Sequence, residues 1–396
     1  MSMISVEQAL QKLRDESHVL ADDRTVGLGD ALGCVLAEDV TSDINVPPAD
    51  NSAMDGYALR WQDWRGPDDV LDISQRITAG IPPQPHEPGT AARIFTGAEI
   101  PAGADVVVMQ ERCRSDGKSV LIESIPEIGG NIRPLGQDIR QGATVLNAGH
   151  RLRSQDLGLI ASLGIARVKV KRRLKVAIIS TGEELVEPGN DAGPGQIYNS
   201  NRYMLRAMLA NWGFDVVDLG VARDDPDIIA QIMTRASRGA DVIVTTGGVS
   251  VGEEDHVKAV VESLGHIDLW RVAIKPGKPF AFGDVLGTPF LGLPGNPVST
   301  FVTALVIARP FLFDSQGVKD HEVTPVRQKA LFDKKGRPRQ EYLRIRSKPD
   351  GVEIFAQQSS GVLFSTCWGD GLAVQKPHQD IHTGDQVDVI PYALYN

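Results

Sequence analysis

A short apolar run, residues 240–246, leads directly into the segment GGVSVGEED, residues 247–255. The paired glycines Gly247 and Gly248 let the backbone turn tightly and approach a ligand closely. A helix that begins after them would aim its free N–H groups at that ligand, which suits phosphate or another oxyanion. The segment ends in three carboxylates, and carboxylates beside a phosphate are unfavourable unless a hard cation such as Mg2+ lies between them. The segment therefore predicts a phosphorylated ligand with a metal ion.

A second loop of this kind follows another apolar run, where Thr181 and Gly182 precede two glutamates and Leu185. One such loop alone is also typical of an ordinary connection with solvated acids. Two of them at the carboxyl ends of strands in one α/β domain would meet in one crevice, which is where open α/β sheets bind ligands. We therefore favour the functional interpretation of both loops.

Two lysines, Lys275 and Lys278, flank a Pro-Gly turn between strongly apolar segments. A solvated hairpin tip is the alternative, but the apolar flanks anchor the turn in a core. Lysine is a compact positive charge for an oxyanion. The turn LGLPGNPVS then places Asn296 or Ser299 at the start of the next helix. Two lysines, a helix N-terminus and a hydroxyl together predict a site for a tetrahedral dianion.

Further acids stand in loops outside this region. Asp50 and Asp55 bracket small residues in PPADNSAMDGYA, for which a linker built from Asx turns is the alternative interpretation. Asp138 lies between Arg133 and Arg140, which is also compatible with an ion-paired surface loop. On the residues alone, both interpretations stay open.

The order of secondary-structure patterns predicts the scaffold for these groups. From Leu174 onward, apolar strands alternate with helices, and the last helix is the long apolar stretch that follows Asn296. Such alternation predicts a central three-layer α/β domain with a mostly parallel sheet. Short strands and turns after Asp314 predict a C-terminal β domain.

The first half of the chain has a different composition. A helical pattern at 4–20, with Ser5 as its cap, and another at 150–164, with Ser154 as its cap, enclose a stretch of short strands at 51–135. The sequence therefore predicts a β-rich domain inserted into an N-terminal helical and extended domain.

Length and composition exclude several classes of protein. The 396 residues predict two to four domains, and 42% hydrophobic with 23% charged residues is typical of a globular protein. No apolar run approaches the roughly 20 residues of a membrane span, and the N-terminus resembles an amphipathic helix rather than a signal peptide, so we expect a cytoplasmic protein without a membrane partner.

The formal charge of −10 disfavours a nucleic-acid partner, although a local basic pocket remains compatible with it. Cys34, Cys113 and Cys367 are far apart and predict reduced thiols.

The motifs in their order resemble the MoeA family of molybdopterin molybdenumtransferases, which includes the gephyrin E domain. The resemblance covers essentially the whole chain and is weakest in the C-terminal domain. It is carried by nine segments: DNSAMDGYA, FTGAEIPAGADVVVMQE, GQDI, STGEEL, GQIYNSN, RDDP, GGVSVGEED, AIKPGKPFAFG and GLPGNPVS.

The resemblance implies an elongated homodimer of four domains. These are an N-terminal domain at 1–46 and 139–172, an inserted β-rich domain at 47–138, an α/β domain at 173–317 and a β domain at 318–396. It also implies molybdenum cofactor biosynthesis: Mg2+-dependent insertion of molybdate into adenylylated molybdopterin, with hydrolysis of the adenylate and release of AMP. The implied active crevice pairs the α/β domain of one subunit with the inserted domain of the other. The implied protein partners are a molybdopterin adenylyltransferase and molybdoenzyme maturation factors.

The resemblance also implies residue roles. Asp55, Asp138, Glu184 and Asp255 are the expected catalytic acids, and Glu184, Asp224 and Asp255 the expected metal ligands. Lys275, Lys278 and Ser299 match a molybdate-binding corner that Arg344 and Ser360 would complete. The remaining expected substrate-binding residues are Thr96, Thr181, Gly182, Asp224, Gly247, Gly248, Ser250 and Gly252.

Two alternatives belong to other functional classes. A nucleotide-pyrophosphate hydrolase would explain the glycine loops but not the inserted domain or the lysine turn, and it predicts turnover of free dinucleotides without molybdate. A non-enzymatic scaffold is the other alternative, since relatives in this family also cluster receptors. The chain has no long linker or additional adenylylating domain to favour it.

Overall fold

The structure is a computed structural model that describes residues 3–124, 127–248 and 256–395. The chain divides into two compact units. Unit 1 comprises residues 1–37, 149–152 and 168–396, and unit 2 comprises residues 38–148 and 153–167. The boundaries of the four domains stay a prediction.

The helices in chain order are α1 (Val6–Glu16), α2 (Ser154–Ser162), α3 (Ser200–Asn211), α4 (Pro226–Gly239), α5 (His256–Leu264), α6 (Pro297–Thr303), α7 (Arg309–Gln316) and α8 (Phe364–Trp368). The strands of the first half are β1 (Asp23–Gly27), β2 (Val35–Leu36), β3 (Val40–Thr41), β4 (Asn51–Ser52), β5 (Gly56–Leu59), β6 (Val70–Ile77), β7 (Thr90–Ile94), β8 (Val106–Met109), β9 (Cys113–Ser115), β10 (Ser119–Ile122), β11 (Ile132–Arg133), β12 (Thr144–Leu146) and β13 (Arg167–Lys171). Those of the second half are β14 (Lys175–Thr181), β15 (Leu185–Val186), β16 (Ile197–Tyr198), β17 (Asp215–Ala222), β18 (Val242–Thr246), β19 (Gly265–Arg271), β20 (Ile274–Lys275), β21 (Pro279–Val285), β22 (Thr288–Leu293), β23 (Val326–Lys329), β24 (Gln340–Lys348), β25 (Gly351–Ile354), β26 (Gly371–Gln375) and β27 (Gln386–Pro391).

The main sheet of unit 1 has six strands in the order β17-β14-β18-β22-β21-β19. The pairings β17–β14, β14–β18 and β18–β22 are parallel, whereas β21 pairs antiparallel with both β22 and β19. The mostly parallel sheet predicted from strand–helix alternation is therefore confirmed. Its parallel strands end at one common edge, where their loops meet.

Alternate residues of the central strands bury their side chains on opposite faces of this sheet. In β14, Val176 and Ile178 join the core that contains α3 and α6, while Ala177 and Ile179 join the core that contains α4 and α5. The side-chain period of two in a strand explains this division. A sheet with both faces covered by helices is the predicted three-layer arrangement.

The long apolar helix predicted after Asn296 is continuous from Pro297 to Gln316, with a π-helical segment at Ala304–Ala308 between α6 and α7. This 20-residue helix meets the length of a membrane span, so the expectation that no apolar run approaches that length is wrong. Because 83% of its apolar window is buried inside the protein, it resembles the core helix of a globular domain.

The predicted C-terminal strands form a second six-stranded sheet in unit 1, ordered β20-β24-β26-β27-β23 with β25 paired to β24. The short strand β20 comes from the lysine turn and pairs in parallel with β24, in the register Lys275 to Glu341. This pairing ties the lysine turn to the C-terminal sheet. The short helix α8 departs from the purely β domain that the sequence predicts.

Unit 2 contains the β-rich stretch predicted at 51–135. Six of its strands form one sheet in the order β8-β5-β7-β6-β10-β9. Two-stranded pairs, β4–β11 and β3–β12, bring the ends of the stretch together. The sheet packs separate apolar clusters around Leu59 and Ile94.

The predicted N-cap is confirmed at one of the two flanking helices and wrong at the other. Ser5 caps α1 as expected, because its hydroxyl accepts from the Gln8 N–H at 3.1 Å and the Gln8 side chain accepts from the Ser5 N–H. Ser154 is instead the first residue of α2, so its predicted role is wrong. Arg153 occupies the cap position, and its N–H donates to the Asp156 carboxylate at 2.8 Å.

Candidate active site

A large cavity, of about 1480 Å³, opens where the parallel strands of unit 1 end. The loops after β14, β18 and β22 all contribute to its lining, through Thr181 and Gly182, Gly247 and Gly248, and Gly295. Because these three strands are neighbours and parallel, their carboxyl ends converge as the sequence pattern indicates.

Glycine is required at the centre of this lining because the loops touch. Gly247 and Gly248 have φ values of +88° and +64°, which favour glycine. A Cβ at Gly247 would lie 2.6 Å from the Thr181 carbonyl oxygen, and one at Gly248 would run into Val257. Gly295 lies beside Gly247, with 3.7 Å between a Cβ built on Gly295 and the Gly247 Cα. The paired glycines thus allow three loops to pack around one space.

The strand order separates the charges of the lining. Glu184 follows β14 and Asp224 follows β17, on one side of the central strand β18. Lys275 and Lys278 precede β21, and Ser299 follows β22, on the other side. The cavity therefore has a carboxylate side and a cationic side, and an extended ligand with two different charged parts would meet both.

One hydrogen bond joins the two loops of the carboxylate side. The Asp224 N–H donates to the Glu183 carboxylate at 2.9 Å, which links the loops after β14 and β17. Gly182 has a φ of +142°, and a Cβ there would run into the Glu184 carboxylate. The carboxylate of Glu184 consequently lies against the loop backbone on the cavity wall.

Two buried polar atoms on the lining have no partner among the described residues. The Thr181 hydroxyl is one of them, although Thr181 is only 8% exposed. Asn201 donates from Nδ2 to the Gly295 carbonyl at 2.6 Å, while its Oδ1 is buried without a partner among those residues. Buried polar atoms normally have hydrogen-bond partners, so these two are exceptions on the cavity lining.

On the cationic side, the arginine that lines the cavity is not the predicted one. Arg344 is 1% exposed and is not among the described residues that line the cavity. Its guanidinium donates to the Ser365 hydroxyl and to the carbonyls of Tyr342 and Ser359, and burial lowers its pKa to about 10. The prediction that Arg344 faces the oxyanion corner is therefore not supported by this geometry.

Arg339 lines the cavity instead, and its guanidinium donates to the Ile274 carbonyl at 3.2 Å. Ser360 lies on the lining as predicted, and its carbonyl accepts from the Val298 N–H in the first turn of α6. No motif marks Arg339, which follows Arg337 and Pro338 in a basic stretch. Nor does the sequence indicate Asn199 and Asn201, whose positions on the lining depend on how α3 begins against the sheet.

Within unit 2, Asp55 and Thr96 come together. The Thr96 N–H and hydroxyl both donate to the Asp55 carboxylate, each at 2.8 Å. These bonds, the backbone one first, lower the pKa of Asp55. Thr96 thus has a structural partner, and Asp55 is an ionised group held in place on the loop before β5.

Asp138 also belongs to unit 2, at the return from the β-rich stretch. Its N–H donates to the Val46 carbonyl at 3.0 Å, which fixes its backbone beside the entry into the same stretch. No ion pair joins it to Arg133 or Arg140 in the described part of the chain, so the ion-paired alternative has no support there.

Three predicted site residues, Ser250, Gly252 and Asp255, lie outside the described residues. Within the described ranges, no group of three or more metal-ligating side chains is close enough to hold a metal ion. Glu184 and Asp224 line the same cavity, so two of the three expected ligands share one site.

Comparison with known proteins identifies the family. Residues 4–164 match the MoeA N-terminal region (domain I and II), residues 177–314 a probable molybdopterin binding domain, and residues 331–392 the MoeA C-terminal region (domain IV). A protein of Haemophilus influenzae named molybdopterin molybdenumtransferase is 42% identical over 326 residues, which cover 82% of this chain and 80% of the relative. A protein of Nostoc sp. with the same name is 38% identical and covers 74% of this chain and 69% of its own length.

Solved structures agree with this assignment. Two crystal structures described as molybdopterin biosynthesis MoeA protein from Pyrococcus horikoshii match with TM-scores of 0.81 and 0.87, at 30% and 28% identity. Each match covers 99% of this chain, and 99% and 100% of the respective known chains. The fold and the cavity define a multidomain α/β protein with a charged crevice at the carboxyl edge of its sheet. The chain belongs to the MoeA family.

Proposed function

We propose that this chain is a molybdopterin molybdenumtransferase that inserts molybdate into adenylylated molybdopterin and releases AMP. The observation that carries the proposal is the division of one cavity into a carboxylate side and a cationic side. An adenylylated pterin has a phosphoanhydride, and molybdate is a separate tetrahedral dianion, so the two substrates need two differently charged subsites. The cavity of about 1480 Å³ exceeds the roughly 300–1,000 Å³ typical of small-molecule pockets, which suits a dinucleotide-sized ligand.

The cationic side has the groups to hold molybdate. Lys275, Lys278 and Arg339 line it, and Ser299 adds a hydroxyl at the start of α6. Lysine offers a compact charge, while arginine offers several donors in a planar fork. Their shared task is to bind and orient the dianion beside the pterin.

The carboxylate side fits a hard cation. Mg2+ is commonly held by one or two protein carboxylates together with substrate phosphates, and Glu184 and Asp224 supply two carboxylates on one wall. When bound, Mg2+ would neutralise charge on phosphate oxygens. Asp255 stays a proposed third ligand. The glycine loops contribute separately, because their backbone can approach phosphate closely.

A reconstituted reaction tests the proposal. Purified protein, adenylylated molybdopterin, Mg2+ and molybdate should together yield AMP and a cofactor that activates an apo-molybdoenzyme. Omission of molybdate should abolish cofactor formation, and Lys376→Gln, which changes an exposed lysine away from the cavity, should behave as the wild type. Steady hydrolysis of free dinucleotides without molybdate would instead favour the pyrophosphate-hydrolase alternative.

The proposal includes a cytoplasmic homodimer in which Asp55 and Asp138 of one subunit act on a ligand held by the other subunit. The lowered pKa of Asp55 supports a role for this residue in the chemistry, since an ionised carboxylate can orient a water molecule or hold a metal ion. The adenylylated substrate would come from a molybdopterin adenylyltransferase, and the product would pass to molybdoenzyme maturation factors. Sedimentation of the purified protein tests the dimer directly.

A further inference from the structure

A buried carboxylate lies behind the cationic side of the cavity. Glu341 is 1% exposed, and its Oε1 accepts from the Lys275 Nζ at 2.9 Å. Lys334 Nζ lies 4.0 Å from Oε2, and Arg337 Nε lies 3.5 Å from Oε1. One acid is thus surrounded by three cations. Only Lys275 among these three belongs to the described lining of the cavity.

The chain positions this acid through backbone pairing. Strand β20 runs parallel to β24 in the register Lys275 to Glu341, and the Gln340 N–H donates to the Ala273 carbonyl at 2.9 Å. Any residue except proline at position 341 could make the backbone pairing. A glutamate there is costly to bury, because an ionised carboxylate loses its hydration unless cations and hydrogen bonds replace it. Its side chain therefore has a task beyond the sheet.

We propose that Glu341 is a positioning residue for the oxyanion subsite: it holds the Lys275 ammonium at the cavity wall, while Lys334 and Arg337 balance its charge from behind. This inference rests on the proposed function, because it assigns molybdate to the lysines. The side chain of Lys275 is 23% exposed and that of Glu341 2%, so Lys275 can reach the cavity while the acid stays out of it. A carboxylate directly on the lining would repel a dianion, whereas one behind the lysine orients the cation and leaves the cluster positive.

The test compares Glu341→Gln with the wild type. The amide keeps the size of the side chain and removes the charge that holds Lys275. We expect the Kd and KM for molybdate to rise about tenfold, as for loss of one charge-assisted hydrogen bond. The kcat and the KM for adenylylated molybdopterin should change less than twofold, because their contacts lie elsewhere. Glu353→Gln is the matched control. Glu353 lies on the adjoining strand β25, forms an ion pair with Lys348 at 3.1 Å and is not a lining residue.

A double-mutant cycle separates positioning from a general effect on the fold. If Glu341 acts through Lys275, then Glu341→Gln should have no further effect on molybdate binding in a Lys275→Met background. Additive effects of the two changes would overturn the inference. If Glu341→Gln fails to fold, Glu341→Asp retains the charge with a shorter reach and should raise the molybdate Kd in the same direction. An unchanged Kd in folded Glu341→Asp would equally overturn it. A wild-type protein that neither binds molybdate nor releases AMP contradicts the proposed function instead.

Discussion

Single charges on the cationic side of the cavity should affect molybdate binding without affecting the stability of the fold. Lys278 is exposed and lines the cavity, so Lys278→Gln should leave the melting temperature nearly unchanged, as for most surface substitutions within about 0.5 kcal/mol. The KM for molybdate should rise roughly tenfold, because one charged donor is lost. Steady-state kinetics with varied molybdate measures this, with Lys376→Gln as the control. An unchanged KM would remove Lys278 from the site.

The cysteines differ in reactivity for a physical reason. Burial raises the pKa of Cys113 to about 11, so at pH 8 only on the order of one thiol in a thousand is the reactive thiolate. Cys367 is exposed. Alkylation by iodoacetamide, followed by peptide mass spectrometry, should therefore label Cys367 well before Cys113. The opposite order would show that Cys113 is more accessible than the structure places it.

The sequence predicts single residues well where a motif fixes their neighbours. Lys275 and Lys278 were identifiable because a turn between apolar strands has to bring them to a sheet edge, and the structure places both on the cavity. Arg344 and Arg339 show where this reasoning stops. They are five positions apart near one strand, and only the three-dimensional structure determines which guanidinium turns inward to Ser365 and which reaches the cavity.

At the scale of elements, the convergence of the loops depends on glycine at position 248. Gly248→Ala should be both strained, at φ +64°, and sterically blocked by Val257 and Thr181. Gly80 has a φ of +85° with open space around it, so Gly80→Ala adds the strain alone. We expect Gly80→Ala to lower the free energy of unfolding by about 1 kcal/mol, and Gly248→Ala to lower it further and to reduce cofactor formation. Denaturant unfolding of both variants measures the difference, and equal losses would contradict the loop packing.

An ion pair holds the start of β14, the first strand of the main sheet in chain order. Arg172 donates to both Asp241 oxygens, at 2.6 and 2.8 Å, and the Lys175 N–H donates to the same carboxylate. Burial raises the pKa of Asp241, but the bonds from Arg172 and Lys175 outweigh it, and the net pKa is lowered. A lowered folded-state pKa contributes stability above the unfolded value of about 3.9, and that stability is lost as the pH falls through the folded value.

Asp241→Asn should therefore cost about 1–2 kcal/mol of unfolding free energy at pH 7, where the wild-type carboxylate is ionised. The difference between variant and wild type should shrink as the pH approaches the lowered pKa from above. Urea unfolding at several pH values measures this, with Asp350→Asn in the exposed turn between β24 and β25 as the control. A difference that is independent of pH would show that the ion pair does not contribute through its charge.

Secondary structure in the second half of the chain was largely predictable, because buried parallel strands are continuous apolar runs between amphipathic helices. The order of strands was not, since it depends on long-range pairing such as β14 between β17 and β18. That order is what separates Glu184 from Lys275, and so the charge division of the cavity could not be predicted from motifs alone. The pairing of β20 with β24, which buries Glu341 behind Lys275, has no local signal either.

At the scale of the whole molecule, the formal charge of −10 contrasts with the cationic wall. The average surface repels a dianion, so a dianion binds only where cations are concentrated. Molybdate affinity should consequently fall only modestly between low and physiological salt, because the partly buried Lys275 is screened less than a surface charge. Equilibrium binding at several salt concentrations measures this, and a steep loss would indicate diffuse surface binding.

The proposed homodimer, in which each site combines two subunits, makes a quantitative prediction for mixed dimers. Asp55→Asn and Lys275→Met should each be inactive in cofactor formation. When the two variants are co-expressed in equal amounts, half of the dimers contain one subunit of each kind. If Asp55 serves the cavity of the other subunit, each mixed dimer has one intact site, and about a quarter of the wild-type activity should return. If Asp55 serves its own subunit, both sites of a mixed dimer are defective and no activity returns. Purification through two different affinity tags removes the inactive homodimers, so the isolated mixed dimers should have about half of the wild-type activity if Asp55 serves the other subunit and none if it serves its own. The wild type carrying the same tags sets the reference activity.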